Sequence, residues 1–181
     1  MVFSFKLEEV DYHTHLLYTI SKSSSANKTR ALTRLLMTIA LLLFAFISYS
    51  KGSFIQTIYF GSLSLLTFLL MPIYTRWSYK KTYLKHVRKF YKERLFQATS
   101  ITFKNESMEI ADKDGVSEIN FNDIIEINEL QDYYFLKVKN GQSIIIPLTK
   151  VNDKEKLYTI ITGITQFHNI KWNIDTNWTW K

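Results

Sequence analysis

The stretch Leu35-Leu-Met-Thr-Ile-Ala-Leu-Leu-Leu-Phe-Ala-Phe-Ile-Ser-Tyr-Ser50 holds no charged residue, and its reading decides the fold. It lies between Arg34 and Lys51, and a second uncharged stretch, Gly52 to Thr75, follows before Arg76. A helix rises about 1.5 Å per residue, so about twenty residues cross the roughly 30 Å of bilayer hydrocarbon. The second stretch, with its dense apolar run Leu63 to Met71, is long enough. The first becomes so when Ala31 to Thr33 extend it and Arg34 snorkels toward the headgroups. Helices that are apolar on every side need a core that a chain of 181 residues cannot supply. The pair therefore reads as a transmembrane hairpin over 31–75, and the short Ser50-Lys51-Gly52-Ser53 connection makes it antiparallel with both chain ends on one side.

Charge fixes which side. On the terminal side the hairpin is flanked by Lys22, Lys28, Arg30, Arg34, Arg76, Lys80, Lys81, Lys85, Arg88 and Lys89, whereas the turn offers only Lys51. The positive-inside rule then predicts a multi-pass protein of the inner cell membrane with both termini in the cytoplasm. The polar residues within the spans are Thr38, Ser48, Gln56, Thr57, Ser62, Ser64 and Thr67, none of them ionisable, which argues against an ion or proton pathway. Gly61, Ser62 and Ser64 form a small-residue patch expected to serve packing between the spans, or self-association.

From Arg76 to Arg94 there are eight Lys/Arg and one Glu, 8 − 1 = +7; from Leu95 onward there are nine Lys and twelve Asp/Glu, 9 − 12 = −3. The chain's net +7 is thus a local stripe. Over 76–97 the spacing of Leu84, Val87, Tyr91 and Leu95 predicts a basic juxtamembrane helix. Arg76, Lys80, Lys81, Lys85, Arg88 and Lys89 are its candidate contacts to anionic inner-leaflet lipids. Trp77, Tyr79 and Tyr83 sit where an interfacial aromatic belt belongs. Nucleic acid is not the expected partner of a stripe placed beside a membrane span.

Beyond Gln97 the pattern changes to strands. Ile101/Phe103, Met108/Ile110 and Ile119/Phe121 alternate in short runs, and Ile124 to Leu130, Tyr133 to Lys139 and Ser143 to Ile146 follow. Asn140-Gly141 is the strongest hairpin signal in the chain. Asn152 with Glu155 resembles a capping box before the apolar helical stripe Leu157, Ile160, Ile161 and Ile164. About six antiparallel strands closed by a helix are expected over 98–181, a mostly β soluble domain. In the segment 1–30, Phe3, Phe5 and Leu7 alternate, which suggests a strand pairing with the later sheet, and Val10 to Ser21 reads as a helix.

Phe3-Ser-Phe5-Lys-Leu7-Glu8-Glu9-Val-Asp11-Tyr12, the two close spans, the basic exit helix and the strand-rich end with Ile145-Ile146-Pro147 together resemble the bacterial YcxB-like membrane protein family. The resemblance implies a pleckstrin-homology-like domain, a bent antiparallel sheet capped by a C-terminal helix, and no established biochemistry. It also implies a basic residue directly after the Pro, with an aromatic nearby; here Leu148-Thr149-Lys150-Val151 follows, and any role at that corner is weakened.

Other motifs dissolve on inspection. Asp112-Lys113-Asp114-Gly115 opens like a calcium loop, but the sixth and twelfth positions are Ser117 and Asp123, so a hairpin turn is expected. His13 and His15 lack a third ligand nearby. Without cysteines there are no disulfides and no thiol chemistry. Met1 to Lys28 lacks a basic start followed by an apolar core, so no cleavable signal peptide is expected. The acceptors at Asn27, Asn105 and Asn177 fall on the cytoplasmic side and should stay unmodified. The tail, with Ile170, Trp172, Ile174, Trp178 and Trp180 at even positions, reads as an edge strand or packed arm, as indoles at the membrane interface, or as a docking strand.

No catalytic, cofactor or metal constellation is found, so the expectation is a non-enzymatic binding or scaffold module at the inner leaflet that engages a protein or peptide. The domain's −3 argues against phosphoinositide capture. The alternative is a small immunity or stress-response membrane protein acting through its hairpin.

Overall fold

The computed structural model describes residues 1–180; Lys181, the last residue of the Trp-rich tail, lies outside them. The chain divides into two compact units. Met1–His15 with Leu84–Thr179 forms a β unit, and Leu16–Tyr83 with Trp180 forms a helical unit. These boundaries differ from the sequence-based division. The N-terminal segment 1–30 splits after His15 and the exit helix splits after Tyr83, because helices α1 (Glu9–Lys22) and α3 (Phe54–Phe90) each contribute to both units.

In the helical unit, α2 (Ser24–Ser50) is capped by Ser23, whose hydroxyl accepts the Ala26 amide. At 27 and 37 residues, α2 and α3 extend about 40 and 55 Å. Both are long and apolar enough to cross a membrane, with mean hydropathies of 2.1 and 1.7 over their most apolar windows. Those windows are only 11% and 6% buried, so the apolar side chains do not form the core of a folded unit. The turn between them places Gly52 at φ 74°, the left-handed region that glycine enters without penalty. Pro72 sits inside α3, and the helix continues through it to Phe90.

The basic helix therefore ends at Phe90 rather than near Gln97. Arg94 and Leu95 both donate backbone bonds to the Tyr91 carbonyl, and Phe96 turns left-handed at φ 61° while its amide bonds the Leu7 carbonyl at 2.8 Å. That backbone geometry breaks the apolar spacing that had included Leu95.

The β unit contains two four-stranded sheets. The first runs β1 (Val2–Lys6), β2 (Ala98–Phe103), β3 (Ser107–Asp112), β4 (Gly115–Asn120), all antiparallel. The N-terminal strand pairs as its alternation suggested, Phe3 opposite Ile101 and Phe5 opposite Thr99, with Phe3 and Phe5 buried. The second sheet is ordered β7 (Ser143–Pro147), β6 (Tyr133–Val138), β5 (Ile124–Glu129), β8 (Lys171–Ile174). Its β5–β8 pair is parallel, so the sheet is mixed rather than purely antiparallel. The tail supplies β8, the edge strand among its readings. Trp172 Nε1 donates to Glu129 Oε2 and Asn173 Nδ2 to Asn128 Oδ1, each at 2.9 Å.

Phe121 belongs to a 3₁₀ turn, Phe121–Asp123, rather than to a strand, and it is fully buried there. The Asp112–Gly115 stretch makes the expected hairpin turn, with Asp112 Oδ1 accepting the Asp114 amide at 2.8 Å. Helix α4 (Lys154–His168) is capped by Asp153, not Asn152; its carboxylate accepts the Lys156 amide at 3.0 Å. Leu157 and Ile161 of α4 have no solvent exposure, and with Ile127, Leu136 and Ile146 of the second sheet they belong to the unit's apolar core.

Candidate functional site

Three places carry the chemistry that the sequence offers. The first is a buried polar corner in the β unit. The strand–helix junction Lys6–Asp11 supplies one side and the 3₁₀ turn Leu148–Lys150 the other. Asp11, at 1% exposure, stands at the third position of α1 and reaches back to accept the Glu8 amide at 2.6 Å, the return half of a capping box. Its other oxygen accepts the Tyr133 hydroxyl at 3.0 Å. Lys150 closes the corner from 139 residues away. Its ammonium donates to Asp11 Oδ2 at 2.7 Å and to the Lys6 carbonyl at 3.1 Å, and it lies 3.0 Å from Glu8 Oε1.

Burial disfavours the charged ammonium of Lys150, but the Asp11 and Glu8 carboxylates outweigh it and raise its pKa. Burial, then the Asp11 carboxylate, raises the Tyr133 phenol well above its usual range. All three Lys150 protons and both Asp11 oxygens are engaged. With its ammonium and both Asp11 oxygens turned to partners within it, the cluster acts as a clasp. The resemblance implies a basic residue directly after Pro147; the residue that enters this corner, Lys150, stands three positions on, and no local pattern signals its partner Asp11.

The second place is the basic stripe, which the structure divides. Arg88 forks onto the Glu9 carboxylate, with Nε to Oε2 at 2.9 Å and Nη2 to Oε1 at 2.8 Å. This bond lowers the pKa of Glu9 and raises that of Arg88. Arg94 similarly meets Asp114 at 3.1 Å. Both arginines are thus compensated inside the β unit. Lys89 lies 5.3 Å from the Phe90 ring, and Lys85 is exposed. In the helical unit, Lys81 lies over Trp77 at 4.7 Å, Arg76 and Lys80 are exposed, and the Arg76 carbonyl accepts Trp180 Nε1 at 3.2 Å. Of the six candidate lipid contacts, Arg88 is engaged by Glu9 and Lys81 by the Trp77 ring.

The third is the span seam. Ser64 is buried and its hydroxyl donates across to the Thr38 carbonyl at 3.2 Å. Ser62 instead faces outward and bonds its own helix at the Tyr59 carbonyl. A Cβ on Gly61 would meet no atom within 4 Å. Of the three patch residues, Ser64 alone joins the two helices.

His13 and His15 both lie on α1, and His13 is buried. The His15 ring stands edge-on to Phe135 at 5.0 Å, and burial pushes its pKa down to about 4, so the imidazole is neutral near pH 7.

No curated protein and no solved structure matches the chain. Residues 103–167, from the end of β2 to the last turn of α4, match the family model described as YcxB-like protein, and over that segment the YcxB resemblance holds.

Proposed function

We propose that the chain is a two-span membrane protein that presents a pleckstrin-homology-like β unit to the cytoplasm as a binding or scaffold module without catalytic activity. One observation carries the reading. Residues 16–83 contain eight Lys/Arg and no Asp/Glu, and all of these cations except Lys51 lie on the side of the hairpin away from its turn. Such asymmetry is the signal that retains flanking segments in the cytoplasm. Two four-stranded sheets, with helix α4 following β7 and preceding the edge strand β8, support the pleckstrin-like reading of the β unit. Its edge strand β4 is exposed along nearly its whole length, a geometry suited to strand addition by a peptide partner.

Topology tests the frame. A cytoplasm-active and an export-active reporter, each fused after Lys181 and within Ser50–Ser53, should report a cytoplasmic C-terminus and an exported turn. An exported C-terminus reverses the orientation, and a turn that is never exported removes the hairpin altogether.

A second reading, an immunity or stress-response protein acting through its spans, draws support from the open surface at Gly61 and Ser62. Gly61→Leu separates the two. Loss of cellular function with an intact β unit favours the spans as the working surface.

A further inference from the structure

We propose that Arg30 and Arg34 form a binding site for the phosphate of an anionic phospholipid, walled by the rings of Phe68, Tyr79 and Trp180. The site rests on the membrane reading above and gives it a specific ligand and address. Neither arginine belongs to the exit-helix stripe.

The two residues lie one turn apart on α2, on the face turned to α3. The Arg34 guanidinium sits 3.7 Å above the Phe68 ring centroid. That of Arg30 sits 5.2 Å from Tyr79 and 5.6 Å from Trp180. Trp180 is itself held by its indole bond to the Arg76 carbonyl and lies 6.3 Å from Tyr79. Ring faces hold a guanidinium through its plane and leave the N–H edge, the part that forks onto phosphate oxygens, to other acceptors. Arg30 gives one N–H to Asn27 Oδ1. Arg34 Nε is buried and has no acceptor among the described residues.

Residues 16–83 contain no Asp or Glu side chain to answer these charges. An arginine at the boundary of an apolar span is costly unless an anion meets it. At that depth the bilayer offers phosphate, and a net-negative headgroup meets two guanidiniums better than a zwitterionic one.

The test uses the full chain in nanodiscs of equimolar phosphatidylglycerol and phosphatidylcholine. The protein is released in mild detergent and its retained lipids are counted by native mass spectrometry. Wild type should retain phosphatidylglycerol preferentially, and Arg30→Gln and Arg34→Gln should each lower that preference by about fivefold. Arg34→Lys keeps the charge and should lose less; Lys51→Gln, in the hairpin turn and outside the site, should keep the preference. Helicity by circular dichroism confirms that each variant is folded, and Arg30→Gln carries the test if Arg34→Gln is not. An unchanged preference in folded Arg30→Gln, or an equal loss in Lys51→Gln, overturns the site. So does displacement of the lipid by excess inorganic phosphate, which would mark a soluble-anion site. Nanodiscs have no fixed sidedness, so the result is independent of orientation. A chain that never enters the disc overturns the membrane reading and this site with it.

Discussion

Replacing Lys150 by Met should destabilise the β unit more than replacing Asp11 by Asn, although both break the same ion pair. The asymmetry follows from burial. Asp11 is 1% exposed, whereas the Lys150 side chain retains 24%. Without Lys150 a carboxylate stays in the interior with no cation. Breaking a buried pair in this way typically costs 3–5 kcal/mol. Here the Glu8 amide and the Tyr133 hydroxyl still bond the carboxylate, so about 3 kcal/mol is expected, at the lower end of that range. In Asp11→Asn the amide oxygen still accepts from Tyr133. The ammonium keeps Glu8 Oε1 and the Lys6 carbonyl and gains water, so the cost falls to about 1–2 kcal/mol. With both changes no charge is stranded, and the double variant should cost about 2 kcal/mol less than the sum of the singles. The assay is urea unfolding of the full chain in non-ionic detergent, in a Trp77→Phe, Trp180→Phe background so that Trp172 and Trp178 report on the β unit. A Lys150→Met cost below about 1 kcal/mol, or additive costs, would refute the stranded-charge reasoning.

His15 gives a pH dependence. Its folded-state pKa lies near 4, below the unfolded value of about 6.5, so the unfolded chain binds the proton first. The stability it contributes is complete above pH 6.5 and is lost as pH falls from there through 4, a loss of about 3 kcal/mol. His15→Leu should flatten that limb of the stability–pH curve, and an unchanged slope would show that other groups carry it. Two glycines should respond with opposite signs. Gly141 turns at φ 85° with open space around it, so Gly141→Ala should cost about 1–2 kcal/mol of backbone strain alone. Gly163, inside α4 and also unobstructed, should stabilise by about 0.5–1 kcal/mol as Ala in the same unfolding assay.

The features legible in the sequence were those written within a few residues. The spans announce themselves by length and absence of charge, the Asn140-Gly141 turn by the residue that φ 85° demands, and β1 by alternation of Phe3, Phe5 and Leu7. The misread features depend on distant partners or on backbone states that no residue type signals. Nothing in Phe96 marks it as left-handed, since that conformation favours Gly or Asn, and so the basic helix was carried past Phe90. The parallel pairing of β8 depends on polar contacts made across more than forty residues by Glu129 with Trp172 and Asn128 with Asn173. The clasp of Asp11 with Lys150 spans 139. One half lies in the N-terminal motif and the other just after Pro147, and only the fold pairs them.

The same reasoning sorts the basic stripe. As sequence, Arg76 to Arg94 is one block of charge, and one block invites one function. In the structure the division falls between Tyr83 and Leu84. Beyond it, Arg88 and Arg94 meet Glu9 and Asp114, Lys113 meets Glu93, and Lys104 sits between Glu109 and Glu118. These exposed pairs add little stability each, but they orient the exit from α3 and the first sheet, and they consume the charge that a lipid surface would need. Before it, Arg30, Arg34, Arg76, Lys80 and Lys81 lie in residues 16–83, a stretch without an Asp or Glu side chain. Within the stripe, Arg88 and Arg94 are thus the cations paired to carboxylates of the β unit. Neutralising Arg88 should therefore leave phosphatidylglycerol retention in the nanodisc assay unchanged, whereas neutralising Arg30 or Arg34 should lower it.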